Sequence, residues 1–157
     1  MREQYATFYL GDGLFAVNVL LVQEINRNLE ITEVDPSPEY VVGLMNLRGQ
    51  IVTILDLGVR LGLQKRTCTR DSCCVILKTN EAIGRMNLGE ELKGRTSEGF
   101  VGLLVDNVDE MVEVEESDIE QPPANVNGVE STYLRGVMKR DEKLAALVDM
   151  QRILEVV

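Results

Sequence analysis

The chain has 157 residues, 45% of them hydrophobic and 27% charged, with 26 acidic against 16 basic side chains and a formal net charge of -10. That length suits one compact domain, or two small units sharing a core, and the composition excludes a disordered chain. The acidity excludes nucleic acid and anionic lipid as favoured partners, and the lack of any histidine excludes Ser-His and Cys-His nucleophile pairs.

From the start of the chain, Arg2, Glu3 and Gln4 lead directly into a strand-like segment with no secretory signal. Short runs of Val, Ile, Leu, Phe and Tyr between turn signals recur along the sequence, which predicts an all-β fold. Strands are expected over residues 5–10, 14–17 and 23–33, with Gly11-Asp12-Gly13 turning the first hairpin. The longest apolar stretches, such as Val19-Leu20-Leu21-Val22, are far too short to cross a bilayer. A cytoplasmic chain without direct membrane insertion is therefore expected. A second hairpin is expected from residues 43–47 and 50–56, turning at Arg48-Gly49.

Asp56 ends that strand, where its carboxylate suits the free N–H groups of a following helical turn. The next strand, 73–78, carries Cys73 and Cys74 on alternate faces, which predicts one buried and one more exposed thiol. With Cys68 the thiols number three, an odd count that gives no disulfide framework and too few ligands for a metal. Residues 81–98 read as a long loop with one helical turn at 90–93. Strands follow over 99–105, 110–114, 134–139 and 144–148. Asp149 then caps a last short helix, with Met150, Ile153, Leu154 and Val157 at helical spacing. Capping rather than catalysis is the preferred role of both aspartates.

The chain also repeats itself. Tyr40-Val41-Val42-Gly43-Leu44-Met45 matches Tyr133-Leu134-Arg135-Gly136-Val137-Met138, and without a gap Ile51, Ile54, Leu55, Asp56, Leu57 and Leu61 fall opposite Leu144, Leu147, Val148, Asp149, Met150 and Leu154. With a different offset, the run from Val17 to Ile25 resembles that from Leu103 to Met111. The copies diverge at one turn, where Asn46-Leu47-Arg48-Gly49 faces Lys139-Arg140-Asp141-Glu142. A single domain over 1–157 is expected, with internal units near 1–65 and 66–157 that pack together and exchange strands. A divergent turn on a shared scaffold marks the place to look for function. The carboxylates of 106–120 read as a solvated acidic surface, with a magnesium site as the alternative.

Residues 43–57, Gly-Leu-Met-Asn-Leu-Arg-Gly-Gln-Ile-Val-Thr-Ile-Leu-Asp-Leu, resemble the CheW family of bacterial chemotaxis coupling proteins. Val22-Gln23-Glu24-Ile25, the run from Val101 to Val108 and that from Tyr133 to Gly136 agree in order and spacing, so the resemblance covers nearly the whole chain. Thr53 stands where the family usually has proline, and the segment 81–98 is longer than the usual hairpin. The resemblance implies two intertwined five-stranded SH3-like β-barrels, with short helices after Asp56 and Asp149. It implies no catalysis, no cofactor and no metal. The implied partners are the helical hairpin at the cytoplasmic tip of chemoreceptors, lying in a groove between the barrels, and the regulatory domain of the histidine kinase CheA. It also implies recruitment to membrane receptor arrays. Two alternatives remain open: an adaptor of this type in a receptor–kinase pathway outside chemotaxis, and the regulatory domain of a kinase cut from a longer chain.

Carried over by motif, the receptor-binding set is Val19, Val22, Glu24, Gly43, Asn46, Arg48, Gly49, Gly102, Val105 and Val108, with no kinase-contact residues assigned. The valines suit an apolar floor for a helix's apolar stripe, and the planar fork of Arg48 suits a directional polar contact at its rim. Gly43 and Gly102 suit close approach of backbone. The competing roles are core packing for the valines, a surface ion pair for Glu24 and Arg48, and turn conformation for Gly49.

Overall fold

The alternation of apolar residues that predicts strands builds two five-stranded sheets in the computed structural model, which describes residues 2–86 and 99–156. In chain order the main strands are β1 (Arg2–Leu10), β2 (Gly13–Asn18), β3 (Val22–Asn26), β4 (Val41–Leu47), β5 (Gln50–Asp56), β6 (Cys73–Leu77), β7 (Val101–Val105) and β8 (Asn107–Glu115). A short pair, β9 (Asn125–Val126) and β10 (Val129–Glu130), precedes β11 (Leu134–Arg140) and β12 (Lys143–Val148). Short helices α1 (Leu57–Arg60) and α3 (Met150–Ile153) follow Asp56 and Asp149, whose carboxylates accept their first N–H groups. This is the all-β class expected from sequence.

One sheet runs β11-β12-β2-β1-β8 and the other β3-β6-β7-β5-β4. Neighbours are antiparallel except for β12 with β2 and β5 with β7, which are parallel and hold corresponding places in the two sheets. Residues 1–65 give β1 and β2 to the first sheet and β3, β4 and β5 to the second. The chain crosses between sheets at a 3-10 turn, Val19–Leu21, and crosses back at Asp106, between β7 and β8. A large cluster holding Phe8, Phe15, Leu55, Val75, Leu77, Leu103 and Val105 joins the two sheets. Each sheet also wraps a smaller core of its own, one holding Tyr5, Leu14 and Met138 and the other Met45, Ile54 and Leu104.

Among the described residues, continuous ladders do not close either sheet into a barrel, but one bridge spans each pair of edges. Beyond β3, Thr32 pairs with Leu44 of β4; beyond β8, Glu120 pairs with Val137 of β11. The expected strand over 23–33 is thus interrupted. The side chain of Asn26 accepts from the Asn28 N–H at 2.8 Å, a local turn that takes the backbone off the ladder. Two other expectations are corrected. Cys73 and Cys74 are both 0% exposed, because β6 lies inside its sheet with a cluster on each face. Residues 80–85 form a helix, α2 (Asn80–Arg85), because Thr79 caps it by accepting the Ala82 N–H at 3.2 Å. The helical turn expected at 90–93 lies outside the described residues.

Candidate functional site

The β4–β5 pairing ends at Leu47 with Gln50, so Arg48 and Gly49 form a two-residue turn with φ of 51° and 87°. Positive φ at both positions matches the twist of the flanking strands, and glycine adopts it without steric cost. The side chain of Asn46 accepts the Gly49 N–H at 2.9 Å and fixes the turn from within. No atom lies within 4 Å of where a Gly49 Cβ would stand, so the position is constrained by conformation and not by space. Arg48 is held at the tip with its side chain 70% exposed, and its guanidinium grips Glu24 in a two-pronged contact: Nη1 donates to Oε2 at 3.3 Å and Nη2 donates to Oε1. The Glu24 carboxylate raises the Arg48 pKa above its ordinary value, through those hydrogen bonds first and charge second.

Glu24 reaches that turn because β3 carries a bulge. Val22 pairs with Leu77 and Glu24 with Ile76, leaving one extra residue in β3. The bulge puts Val22 and Ile25, three residues apart, opposite Leu77 and Val75, which both belong to the large central cluster. The second copy does the same. In β8, Val108 pairs with Phe8 and Met111 with Ala6, so two residues, Asp109 and Glu110, stand against Thr7 alone. Glu110 then meets Arg140, whose Nη2 donates to Oε1 at 2.5 Å. Glu24–Arg48 joins the β3 and β4 edges of one sheet, and Glu110–Arg140 joins the β8 and β11 edges of the other. Asp141, with φ of 55°, stands where the first copy has Arg48.

The residues expected to bind a receptor divide into three groups. Glu24, Asn46, Arg48 and Gly49 come together at the hairpin tip. Val19, Val22 and Val108 lie at the two crossings between sheets, half-buried and packed on the central cluster. Gly43, Gly102 and Val105 are buried. Val105 is 0% exposed and pairs with Cys73. A Cβ on Gly102 would stand 2.8 Å from the Ile76 Cδ1 and 2.9 Å from that of Ile54. A Cβ on Gly43 would stand 2.2 Å from the carbonyl oxygen of Thr32, at the bridge that spans the sheet edges. These three shape the site from beneath and present no surface of their own. Sequence reasoning passed over Ile25 and Met111, because strict alternation sets each on the face opposite the valine three residues before it. The repeat aligns the two with each other, and that was the signal available.

Several carboxylates of the acidic run are held in ion pairs. Asp106 accepts from Arg66 at 2.9 Å, Glu113 and Glu115 accept from Arg2 at 3.3 and 2.7 Å, and Glu110 accepts from Arg140. Among the described residues no three His, Cys, Asp or Glu side chains are grouped to hold a metal ion.

A protein-family model described as a CheW-like domain matches residues 4–157. The chain is 28% identical over 152 residues to the "Probable chemotaxis protein CheW" of Rhizobium etli, covering 97% of this chain and 86% of that one. It is 29% identical over 152 residues to the "Chemotaxis protein CheW" of Rhizobium meliloti, with the same coverage of 97% and 86%. Its fold is similar to the crystal structure of the scaffolding protein TtCheW from Thermoanaerobacter tengcongensis, with a TM-score of 0.78 and 28% identity over 99% of this chain and 89% of that one.

Proposed function

This chain belongs to the CheW-like family, and from that membership we propose that it is a non-enzymatic chemotaxis scaffold, coupling the cytoplasmic tips of chemoreceptors to the histidine kinase CheA. The observation that carries the residue-level reading is the exposed Arg48-Gly49 tip beside Glu24, on the strand whose first residue, Val22, is only half-buried just after the crossing at Val19–Leu21, with Val108 half-buried at the other crossing. An amphipathic helix docks by laying its apolar stripe on such residues. Arg48 then exchanges its intramolecular carboxylate for a polar group at the receptor tip, a step its pre-organised fork favours. Gly43, Gly102 and Val105 act here by packing the strands that carry the surface.

The regulatory domain of CheA is the second partner. The protein acts in the cytoplasm, recruited to receptor arrays at the membrane; no helix among the described residues is long and apolar enough to cross one. It works as one domain over 1–157, its internal units sharing strands.

Binding of a receptor signalling-tip fragment tests the assignment. Arg48→Ala is expected to cost on the order of 1–3 kcal/mol of affinity, as for an interface anchor. Its unfolding midpoint is expected to stay within about 1 kcal/mol of wild type, since an exposed ion pair contributes little. Unchanged affinity refutes the role given to Arg48.

A further inference from the structure

We propose that Met111 is an apolar anchor for the receptor helix on the β8 side of the site, and that it favours a helix whose apolar stripe is flanked by basic side chains. This rests on the reading that the site takes a helix. Met111 is 61% exposed, more than any other large hydrophobic side chain among the described residues. Single exposed hydrophobic residues are ordinary, so exposure alone says little. What distinguishes Met111 is the device that orients it.

The bulge at Asp109 and Glu110 sets Met111 on the same face as Val108, opposite Ala6 and Phe8 of the central cluster. The bulge in β3 sets Ile25 beside Val22 in the same way, opposite Val75 and Leu77. Both copies thus extend the half-buried valine by one further apolar side chain, on an edge strand, next to a glutamate clasped by an arginine. In β3 the added side chain, Ile25, is half-buried against the cluster; in β8 the added side chain, Met111, is left open. An unbranched, polarisable thioether adapts its shape to the ridges of a helix better than a branched side chain does.

Charge identifies the occupant. Asp109 and Glu110 precede Met111 in the bulge, Glu113 and Glu115 follow it along β8, and Glu116 and Asp118 stand in the turn beyond; Arg2 and Arg140 pair with Glu113, Glu115 and Glu110 and leave the strand acidic overall. A helix meeting this strand is drawn in by lysine or arginine beside its apolar stripe and repelled by acidic residues there.

The test uses the full chain and a receptor signalling-tip helical hairpin fragment, with binding measured by calorimetry at low and moderate salt. Met111→Ala is expected to weaken binding on the order of ten-fold. Met111→Glu is expected to weaken it further, and Met111→Leu, which keeps the apolar area but not the unbranched shape, to weaken it less than Met111→Ala. Leu144→Ala, which trims an exposed aliphatic residue on β12, is expected to leave it unchanged. All variants are expected to melt with wild type, because an exposed side chain contributes little to the core. Raising salt is expected to weaken wild-type binding, and Asp109→Asn with Glu113→Gln to flatten that dependence. Wild-type affinity in both Met111→Ala and Met111→Glu, with Arg48→Ala impaired, overturns the role of Met111 and leaves the helix site standing. Salt-independent wild-type binding overturns the basic flank. Failure of the wild-type chain to bind the fragment overturns the helix site and this inference together.

Discussion

Replacing Asp56 by alanine removes two hydrogen bonds from one carboxylate, and the duplication supplies the control. Oδ1 of Asp56 accepts the Val59 N–H at 3.1 Å and caps α1, while Oδ2 accepts the Arg66 N–H at 2.7 Å and anchors the segment after the helix. Asp149, its counterpart, accepts only from the first turn of α3, from Gln151 at 3.1 Å and Arg152 at 3.4 Å. Asp56 is 1% exposed and Asp149 is half-buried. A lost cap costs about 1 kcal/mol. Leaving the partly buried Arg66 N–H without its charged acceptor adds about 1–3 kcal/mol. Arg66 also bonds Asp106 at 2.9 Å, so loosening its segment reaches the crossing between β7 and β8. The expected totals are roughly 3 kcal/mol for Asp56→Ala and about 1 kcal/mol for Asp149→Ala. For a chain of this size that is about 6–12 °C against 2–4 °C in Tm. Thermal and urea melts followed by circular dichroism measure the difference. Asp56→Asn, which keeps one acceptor, is expected to fall between. Equal losses at Asp56 and Asp149 would refute the argument, because the extra bond to Arg66 would then contribute nothing.

Gly43→Ala is expected to cost about 2–4 kcal/mol, since the added Cβ collides with the Thr32 carbonyl and disrupts the two bridging hydrogen bonds, each 2.8 Å, between Thr32 and Leu44. Gly49→Ala, with open space around it and only left-handed φ to oppose it, is expected to cost about 1–2 kcal/mol; a reversed order in urea midpoints counts against this account. Of the thiols, exposed Cys68 is expected to react with a disulfide reagent in the native chain and Cys73 and Cys74 only on unfolding, and rapid labelling of all three contradicts the buried placement. Burial first, with neighbouring Cys68 and Cys73, pushes the Cys74 thiol from 9.0 up to about 12. The folded chain therefore holds a proton that the unfolded chain has released across that range. The stability tied to it is intact below pH 9 and falls as pH rises toward 12, by on the order of 4 kcal/mol in full. Cys74→Ala is expected to flatten this slope, and an unchanged slope would show that another group carries it.

Much of the fold was written in local chemistry. Residues that a backbone needs recur in both copies: the carbonyl of Tyr40 accepts the Asp56 N–H at 2.7 Å, and that of Tyr133 accepts the Asp149 N–H at 2.9 Å. Gly43 and Gly136 each lie where a closing segment crosses, the latter with the Ile119 Cγ2 2.7 Å from a would-be Cβ. Hairpin bulges fall at the same place, between Val41 and Gly43 and between Leu134 and Gly136. Such requirements lie within one hairpin unit and recur in both copies, so they leave a repeat that can be read without coordinates.

The site was legible in part. Glu24, Arg48, Asn46 and Gly49, expected from the family resemblance, meet at one tip, where the Asn46 side chain and Gly49 satisfy the demands of a two-residue turn. Val105, expected with them, is sealed inside, while the bulges turn Ile25 and Met111 onto the faces of Val22 and Val108. The amino-acid order by itself determined most of the strands, the two hairpin turns, the Asp56 and Asp149 caps and the repeat, each governed by a two-residue period, a single φ angle or one side-chain acceptor. Only the tertiary structure decided which faces are covered and that Glu110 meets Arg140 as Glu24 meets Arg48. Those outcomes depend on one extra residue in an edge strand and on packing between segments as far apart as Glu24 and Arg48 or Glu110 and Arg140, and neither leaves a periodic trace in the chain.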